Sequence, residues 1–312
     1  MPVRVPSSWR VGIVCMSLTA PVVRAQTPAT PPTRKLMTPA ELRTLPTKPA
    51  DKRISYGSHA DQFGDLRIPS GPGPHPVVIL VHGGCFKMGS ATYMGMIADA
   101  LKSEGIASWN IEYRRVMRGG GWPTTYLDVG RGVDHLRAIA VEHNLDLDRA
   151  ILVGHSAGGH LALWASARSR IPAGSDLYVA NPLKVRGVVD LAGPVDMTAN
   201  ITGYETLCRD TVITALMGGT PAAVPERYAQ ASPIKLLPLG IPQVIVMGTY
   251  EDFVPRPIAE AYVRAATQVR DPARLIVIPE MGHFEITTAN EPSWSIVRSA
   301  IRSLLDGKLP PP

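Results

Sequence analysis

The stretch Ile151-Leu152-Val153-Gly154-His155-Ser156-Ala157-Gly158-Gly159-His160-Leu161-Ala162-Leu163-Trp164 decides how this chain is read. Its aliphatic start predicts a strand, and the apolar residues from His160 to Trp164 predict a helix. Between them, Gly154-His155-Ser156-Ala157-Gly158 fits a sharp strand-to-helix turn that lifts the serine hydroxyl clear of a sheet. Glycines are needed on either side because side chains there would clash with the turn or the neighbouring strand. The helix that follows points N–H groups and its positive dipole end at the serine, which favours an oxyanion. Ser156 is therefore the candidate nucleophile.

Outward from this turn, strand-like and helix-like segments alternate. Residues 77–81 (Val-Val-Ile-Leu-Val) are β-branched at four of five positions, as a strand buried on both faces should be. Further strands are predicted at 107–112, 150–153, 185–191, 243–247 and 275–278, and helices at 92–104, 125–143, 156–167, 258–268 and 293–305. This alternation predicts an α/β fold with a mostly parallel central sheet covered by helices. Residues 193–240 break the rhythm with Gly193-Pro194, Gly218-Gly219, Pro221, Pro225, Pro233 and Pro238 around one helical candidate near 206–217. They read either as a small cap over the sheet's C-terminal edge or as a connection packed on its side.

A serine hydroxyl needs a base, usually a histidine oriented by a carboxylate. In this kind of fold the chain order is Ser, acid, His. His283 is the sole histidine after His160, so it is the candidate base, and Gly282 lets its loop bend back. The acid should follow the strand 243–247, where Glu251 and Asp252 stand side by side. Neighbouring side chains of an extended loop point opposite ways, so one of the two can meet His283. Residue chemistry alone favours Asp252, since Asp is the commoner partner of such a histidine. After the strand 77–81 comes His82-Gly83-Gly84-Cys85-Phe86, whose glycines let backbone N–H groups converge. The candidate oxyanion donors are the N–H groups of Gly84, Cys85 and Ala157, with His82 holding the loop. Cys85 as a nucleophile would need a second base, and none is available.

The 312 residues carry 45% hydrophobic and 19% charged residues, as a globular protein does. Residues 1–25 read as a secretory signal: Arg4 and Arg10, an apolar stretch over 11–20, then Val23-Arg24-Ala25 before a cut at Gln26. Its removal lowers the formal charge from +6 to +3, which argues for no nucleic-acid or acidic partner. No later run is long and apolar enough for a membrane span. Residues 26–52 are Pro-rich and read as a linker or strap, with Thr38 able to cap a short helical turn, and residues 53–308 as a single catalytic domain. Cys85 and Cys208 are expected to be separate thiols, and neither shows the spacing of a zinc site. Oligomeric state is not legible.

His82-Gly83-Gly84 together with Gly154-His155-Ser156-Ala157-Gly158 resembles the esterase and lipase branch of the α/β-hydrolase superfamily. More narrowly, residues 82–87, 109–115 (Trp-Asn-Ile-Glu-Tyr-Arg-Arg) and Gly121-Trp122-Pro123 are similar to bacterial hydrolases related to kynurenine formamidase and to acetyl- or feruloyl-type esterases. The resemblance spans residues 75–305. Its acid motif, Gly-x-x-Asp-x-x-Val-Pro, laid on residues 248–255 puts the acid at Glu251, with Val254 and Pro255 in register, and so ranks Glu251 before Asp252. The family often has Trp where Phe86 stands; Phe86, His155 and Trp122 are the candidate pocket residues. The resemblance implies two-step acyl transfer on a small or aryl ester, without metal or organic cofactor. The alternatives are an arylformamidase-type amidase on the same residues, and an inactive scaffold used for binding.

Overall fold

In the computed structural model, residues 30–290 and 292–311 are described; the expected signal segment lies outside them. Eight strands form one sheet in the order β1-β2-β4-β3-β5-β6-β7-β8. They are β1 (Lys52–Ser55), β2 (Phe63–Arg67), β3 (His75–Val81), β4 (Ala107–Ile111), β5 (Leu145–His155), β6 (Val188–Leu191), β7 (Gln243–Gly248) and β8 (Ala273–Ile278). β1 and β2 join antiparallel, and all pairs from β4 to β8 are parallel. β3 and β5 run down the middle, where Val77 to Val81 and Ile151 to Val153 are fully buried, so apolar residues stand at consecutive positions.

The helices are α1 (Pro39–Thr44), α2 (Gly95–Ser103), α3 (Thr124–Asp134), α4 (Leu136–Ile139), α5 (Ala157–Ser166), α6 (Ile201–Cys208), α7 (Val212–Met217), α8 (Pro225–Ala231), α9 (Arg256–Gln268) and α10 (Ser293–Leu305). Among the described residues no helix is long and apolar enough to cross a membrane. α5 packs along β5 and β6 directly behind the elbow, and α10 against the same two strands.

Several boundaries differ from the sequence expectation, each for a local reason. β1 escapes detection because it is a mostly exposed edge strand, Lys-Arg-Ile-Ser, with no apolar run, and β2 because Asp65 and Arg67 interrupt its apolar pattern; these two are buried through ion pairs, Arg53–Asp65 at 2.7 Å and Arg67–Asp99 at 2.8 Å. The helix expected over 125–143 ends at α4, and its last residues turn into an extended β5 that starts at Leu145. The helix expected near 206–217 is two helices, parted at Arg209, which adopts φ 54°. Together with α8, these form an insertion between β6 and β7.

The Pro-rich segment lies on the domain. Thr38 and Glu41 form a reciprocal capping box on α1. Thr33 donates from both N–H and hydroxyl to Glu280, and Met37 N–H donates to Glu285 Oε1. Tyr250 hydroxyl in turn donates to Thr30 O. The strap thus touches both loops that carry the acid and base candidates.

Candidate active site

Ser156 sits between β5 and α5 with φ 54° and ψ −125°, a left-handed geometry that a non-glycine residue holds at a cost of about 1–3 kcal/mol. Three contacts maintain it. Ser156 N–H donates to Leu191 O at 2.8 Å, and Ser156 O accepts from His160 N–H at 3.1 Å. The chain also closes on itself: a Cβ at Gly154 would stand 2.1 Å from Gly158 O, and one at Gly158 2.1 Å from Val81 O. The glycines of the motif are therefore demanded by packing.

His283 follows β8 and is buried. Its Nδ1 lies 2.9 and 2.8 Å from the two oxygens of Glu251. Nδ1 therefore carries the proton toward the carboxylate, leaving Nε2 as an acceptor. Glu251 Oε1 also accepts from Phe253 N–H (2.8 Å) and Val254 N–H (3.1 Å), which fixes the carboxylate at the start of its loop. Asp252 points to solvent. Of the two adjacent carboxylates, Glu251 is the one brought to the histidine. The His283 ring is clamped: Phe253 stacks on it at 4.2 Å and Phe284 meets it edge-on at 5.0 Å. His155 Nε2–H donates to the His283 carbonyl at 2.8 Å. Burial and the neighbouring His283 push the His155 pKa well below the usual histidine value, so it is a neutral buttress under the His283 loop.

Ser156 Oγ has the Tyr204 hydroxyl at 3.5 Å; among the described residues it forms no hydrogen bond with His283. Tyr204 comes from α6, so the insertion reaches over the serine. Tyr204 is not legible in the sequence, because nothing local marks a helical tyrosine in an insertion. Phe253 carries no local mark either, although its place two residues beyond Glu251 puts it against His283. The same holds for Asp190, a fully buried carboxyl at the end of β6. Its Oδ1 accepts from Gly193 N–H at 2.7 Å, and its Oδ2 is unpartnered. Burial, with Glu251 nearby, pushes its pKa well up, against the opposing hydrogen bond from Gly193 N–H.

The loop after β3 turns through three consecutive positive φ values: Gly84 121°, Cys85 52° and Phe86 58°. Gly84 O is taken by the N–H groups of Lys87 and Met88. Among the described residues no acceptor takes the N–H of Gly84, Cys85 or Ala157. Behind the loop, His82 is fully buried, donates through Nε2 to Glu112 Oε1 at 2.9 Å and stacks on Tyr113 at 4.4 Å. Phe86 packs edge-on against His160 at 5.6 Å and is fully buried. Trp122 leans on Tyr126 at 5.8 Å and donates its indole N–H to Asp176. Among the described residues, neither Phe86 nor Trp122 has a polar or ring contact with Ser156 or His283.

The expectation of separate thiols is wrong. Cys85 and Cys208 form a disulfide, with Cα atoms 5.9 Å apart across 123 residues of sequence. The fold of the insertion explains it: α6 ends directly above the loop after β3, a proximity no sequence spacing reveals. The Lys87–Asp210 ion pair at 3.1 Å fastens the same two segments.

With this geometry in hand, the chain can be set beside known proteins. The BD-FAE family model matches residues 65–263. The chain belongs to the BD-FAE family. Among curated relatives of this BD-FAE chain, Esterase LipC of Mycobacterium tuberculosis (strain ATCC 25618 / H37Rv) is 28% identical over 238 residues, covering 74% of the chain and 59% of LipC. Probable carboxylic ester hydrolase LipM of the same organism is 26% identical over 225 residues, covering 70% of the chain and 52% of LipM. The chain thus spans a little over half the length of these two relatives. Among solved structures, a truncated carbohydrate esterase from gut microbiota superposes with TM-score 0.70 at 21% identity, over 83% of this chain and 97% of that one. Esterase B from Lactobacillus rhamnosis, inhibited by a C6-C4 SN3 compound, gives TM-score 0.69 at 18% identity, over 82% and 87%. Both likenesses speak to the fold, which is that of the α/β-hydrolases.

Proposed function

We propose that this chain is a serine carboxylic ester hydrolase acting on a small or aryl ester, with Ser156 as nucleophile, His283 as base and Glu251 as the orienting acid. The observation that carries the proposal is the His283–Glu251 pair, 2.8 Å apart and buried, on a loop that returns to the elbow holding Ser156. The esterase names of the two mycobacterial relatives support the same reaction class.

The reaction runs in two steps. His283 Nε2 takes the Ser156 proton as Oγ attacks the ester carbonyl, and Glu251 stabilises the imidazolium through Nδ1–H. The developing oxyanion is met by the free N–H groups of Gly84, Cys85 and Ala157, with the N-terminus of α5 behind them. His283 then protonates the departing alcohol oxygen, and the acyl group stays on Ser156. In the second step His283 deprotonates a water that attacks the acyl-enzyme, and the same donors hold the second oxyanion. For this to proceed, the Ser156 hydroxyl must leave Tyr204 and donate to Nε2.

The protein would work outside the cytoplasm. The charged, apolar and small-residue pattern of residues 1–25 supports secretion, and so does the Cys85–Cys208 disulfide, a bond that persists in oxidising compartments.

Purified protein assayed side by side on p-nitrophenyl acetate and N-formylkynurenine tests the reaction class. The proposal expects the higher kcat/KM on the ester. A higher kcat/KM on the formamide would replace ester hydrolysis with C–N hydrolysis on the same residues.

A further inference from the structure

Resting on the ester-hydrolase reading, we infer that Tyr204 limits the size of the acyl group Ser156 accepts, and that the Cys85–Cys208 disulfide holds it in that position.

Three groups approach the reacting carbonyl from different sides. The leaving alcohol must lie toward His283, which protonates it. The carbonyl oxygen must lie toward Gly84, Cys85 and Ala157. The acyl chain is left with the remaining direction from Ser156 Oγ. By elimination that direction falls to Tyr204, whose hydroxyl is 3.5 Å from Oγ and whose side chain is almost fully buried. Its ring neighbours are Phe86 and Phe253, each at 6.2 Å, and it has no ring or hydrogen-bond contact with His283.

The same side chain also borders a narrow recess. Ile213, Phe253 and Ile258 give it apolar walls and Asp196 and Asn200 polar ones, and its free volume is about 10 Å³, room for roughly one water. The Tyr204 side chain therefore stands between the serine and this recess. A short acyl group stops before the ring. A longer one needs the space the ring fills.

Tyr204 cannot readily swing away. Cys208 lies four residues on, about one helical turn, and is bonded to Cys85 in the loop that carries the oxyanion donors. The Lys87–Asp210 pair adds a second fastening. Any movement of α6 that withdraws Tyr204 must pull on that loop or break the disulfide. Covalent linkage of the size filter to the oxyanion loop keeps the two in register.

The test compares kcat/KM for p-nitrophenyl acetate, butyrate and hexanoate in the wild type, Tyr204→Phe, Tyr204→Leu, Tyr204→Ala and the Cys85→Ser/Cys208→Ser double variant. In the wild type, kcat/KM should fall with chain length, and Tyr204→Phe, which keeps the ring, should keep that fall. Tyr204→Ala should raise the butyrate-to-acetate ratio by about tenfold or more, since one methylene in a pocket is worth about 10–200-fold. Tyr204→Leu should move it the same way by less, and supplies the measurement if the alanine variant does not fold. The double serine variant should also shift toward longer chains. A ratio in Tyr204→Ala and Tyr204→Leu within about twofold of wild type, with acetate still hydrolysed, would overturn the inference. So would Tyr204→Phe shifting the ratio as far as Tyr204→Ala. Wild-type protein that hydrolyses none of the three esters would instead sink the ester reading itself.

Discussion

His283 presents Nδ1 to both carboxylate oxygens of Glu251, at 2.9 and 2.8 Å, while the adjacent Asp252 faces solvent. One residue of register therefore separates the carboxylate that meets His283 from an exposed one. Glu251→Gln should lower kcat by about 10⁴, the loss seen when the acid of a comparable triad is made an amide. Asp252→Asn should leave kcat within a few-fold. Steady-state kinetics of the pair on one ester decide it, and the reverse ranking would move the acid to Asp252.

Glu285 joins the strap to the loop of the base. Its Oε1 accepts from Met37 N–H and its Oε2 from Gly282 N–H, the latter at 3.0 Å, and the side chain is fully buried. Glu285→Ala strands both donors. With hydrogen bonds to a charged group each worth about 1.5–3 kcal/mol, the variant should unfold at a lower urea midpoint. It should also lose kcat more than KM, because Gly282 precedes His283. Unchanged kcat with a lowered midpoint would make the strap purely a stabilising element.

His160 predicts a pH dependence of stability. It is fully buried, with Nδ1 facing Pro194 O at 2.8 Å and Nε2 facing the Tyr126 hydroxyl at 2.9 Å. Burial lowers its pKa from 6.5 to about 4, against a smaller opposing effect of the Pro194 carbonyl. The unfolded chain thus binds a proton between those two values and the folded chain does not. The contribution is whole above pH 6.5 and declines as pH falls toward 4, by about 3 kcal/mol in all. His155 acts in the same direction. Urea midpoints across that window should fall with acidification, and less steeply in His160→Gln than in the wild type. Equal slopes would remove His160 as a cause.

The parts of this molecule that were legible in the sequence are those where local pattern and tertiary role coincide. β3 and the inner half of β5 are buried on both faces, so their composition is almost purely aliphatic, and the elbow's glycines are required by contacts with Val81 and Gly158. β2 is hidden because Asp65 and Arg67 are buried by pairing with residues on other elements, and β1 because it is a mostly exposed edge strand without an apolar run. The disulfide and Tyr204 were hidden for a related reason. Both depend on where α6 lands, and that is set by packing of an insertion whose own sequence is irregular. The acid candidate is half legible: residue chemistry favours Asp252 and motif spacing Glu251, and the backbone turn after β7 brings Glu251 to His283, with Glu251 Oε1 tied to the N–H groups of Phe253 and Val254.

The central claim is that Ser156, activated by His283, is the nucleophile. The most direct measurement is labelling of the folded protein with a fluorophosphonate, followed by peptide mass spectrometry. A single adduct on Ser156 is expected, abolished in Ser156→Ala and slowed severely in His283→Ala. Labelling that is absent from the folded wild type, or that falls on another residue and persists in Ser156→Ala, would contradict it.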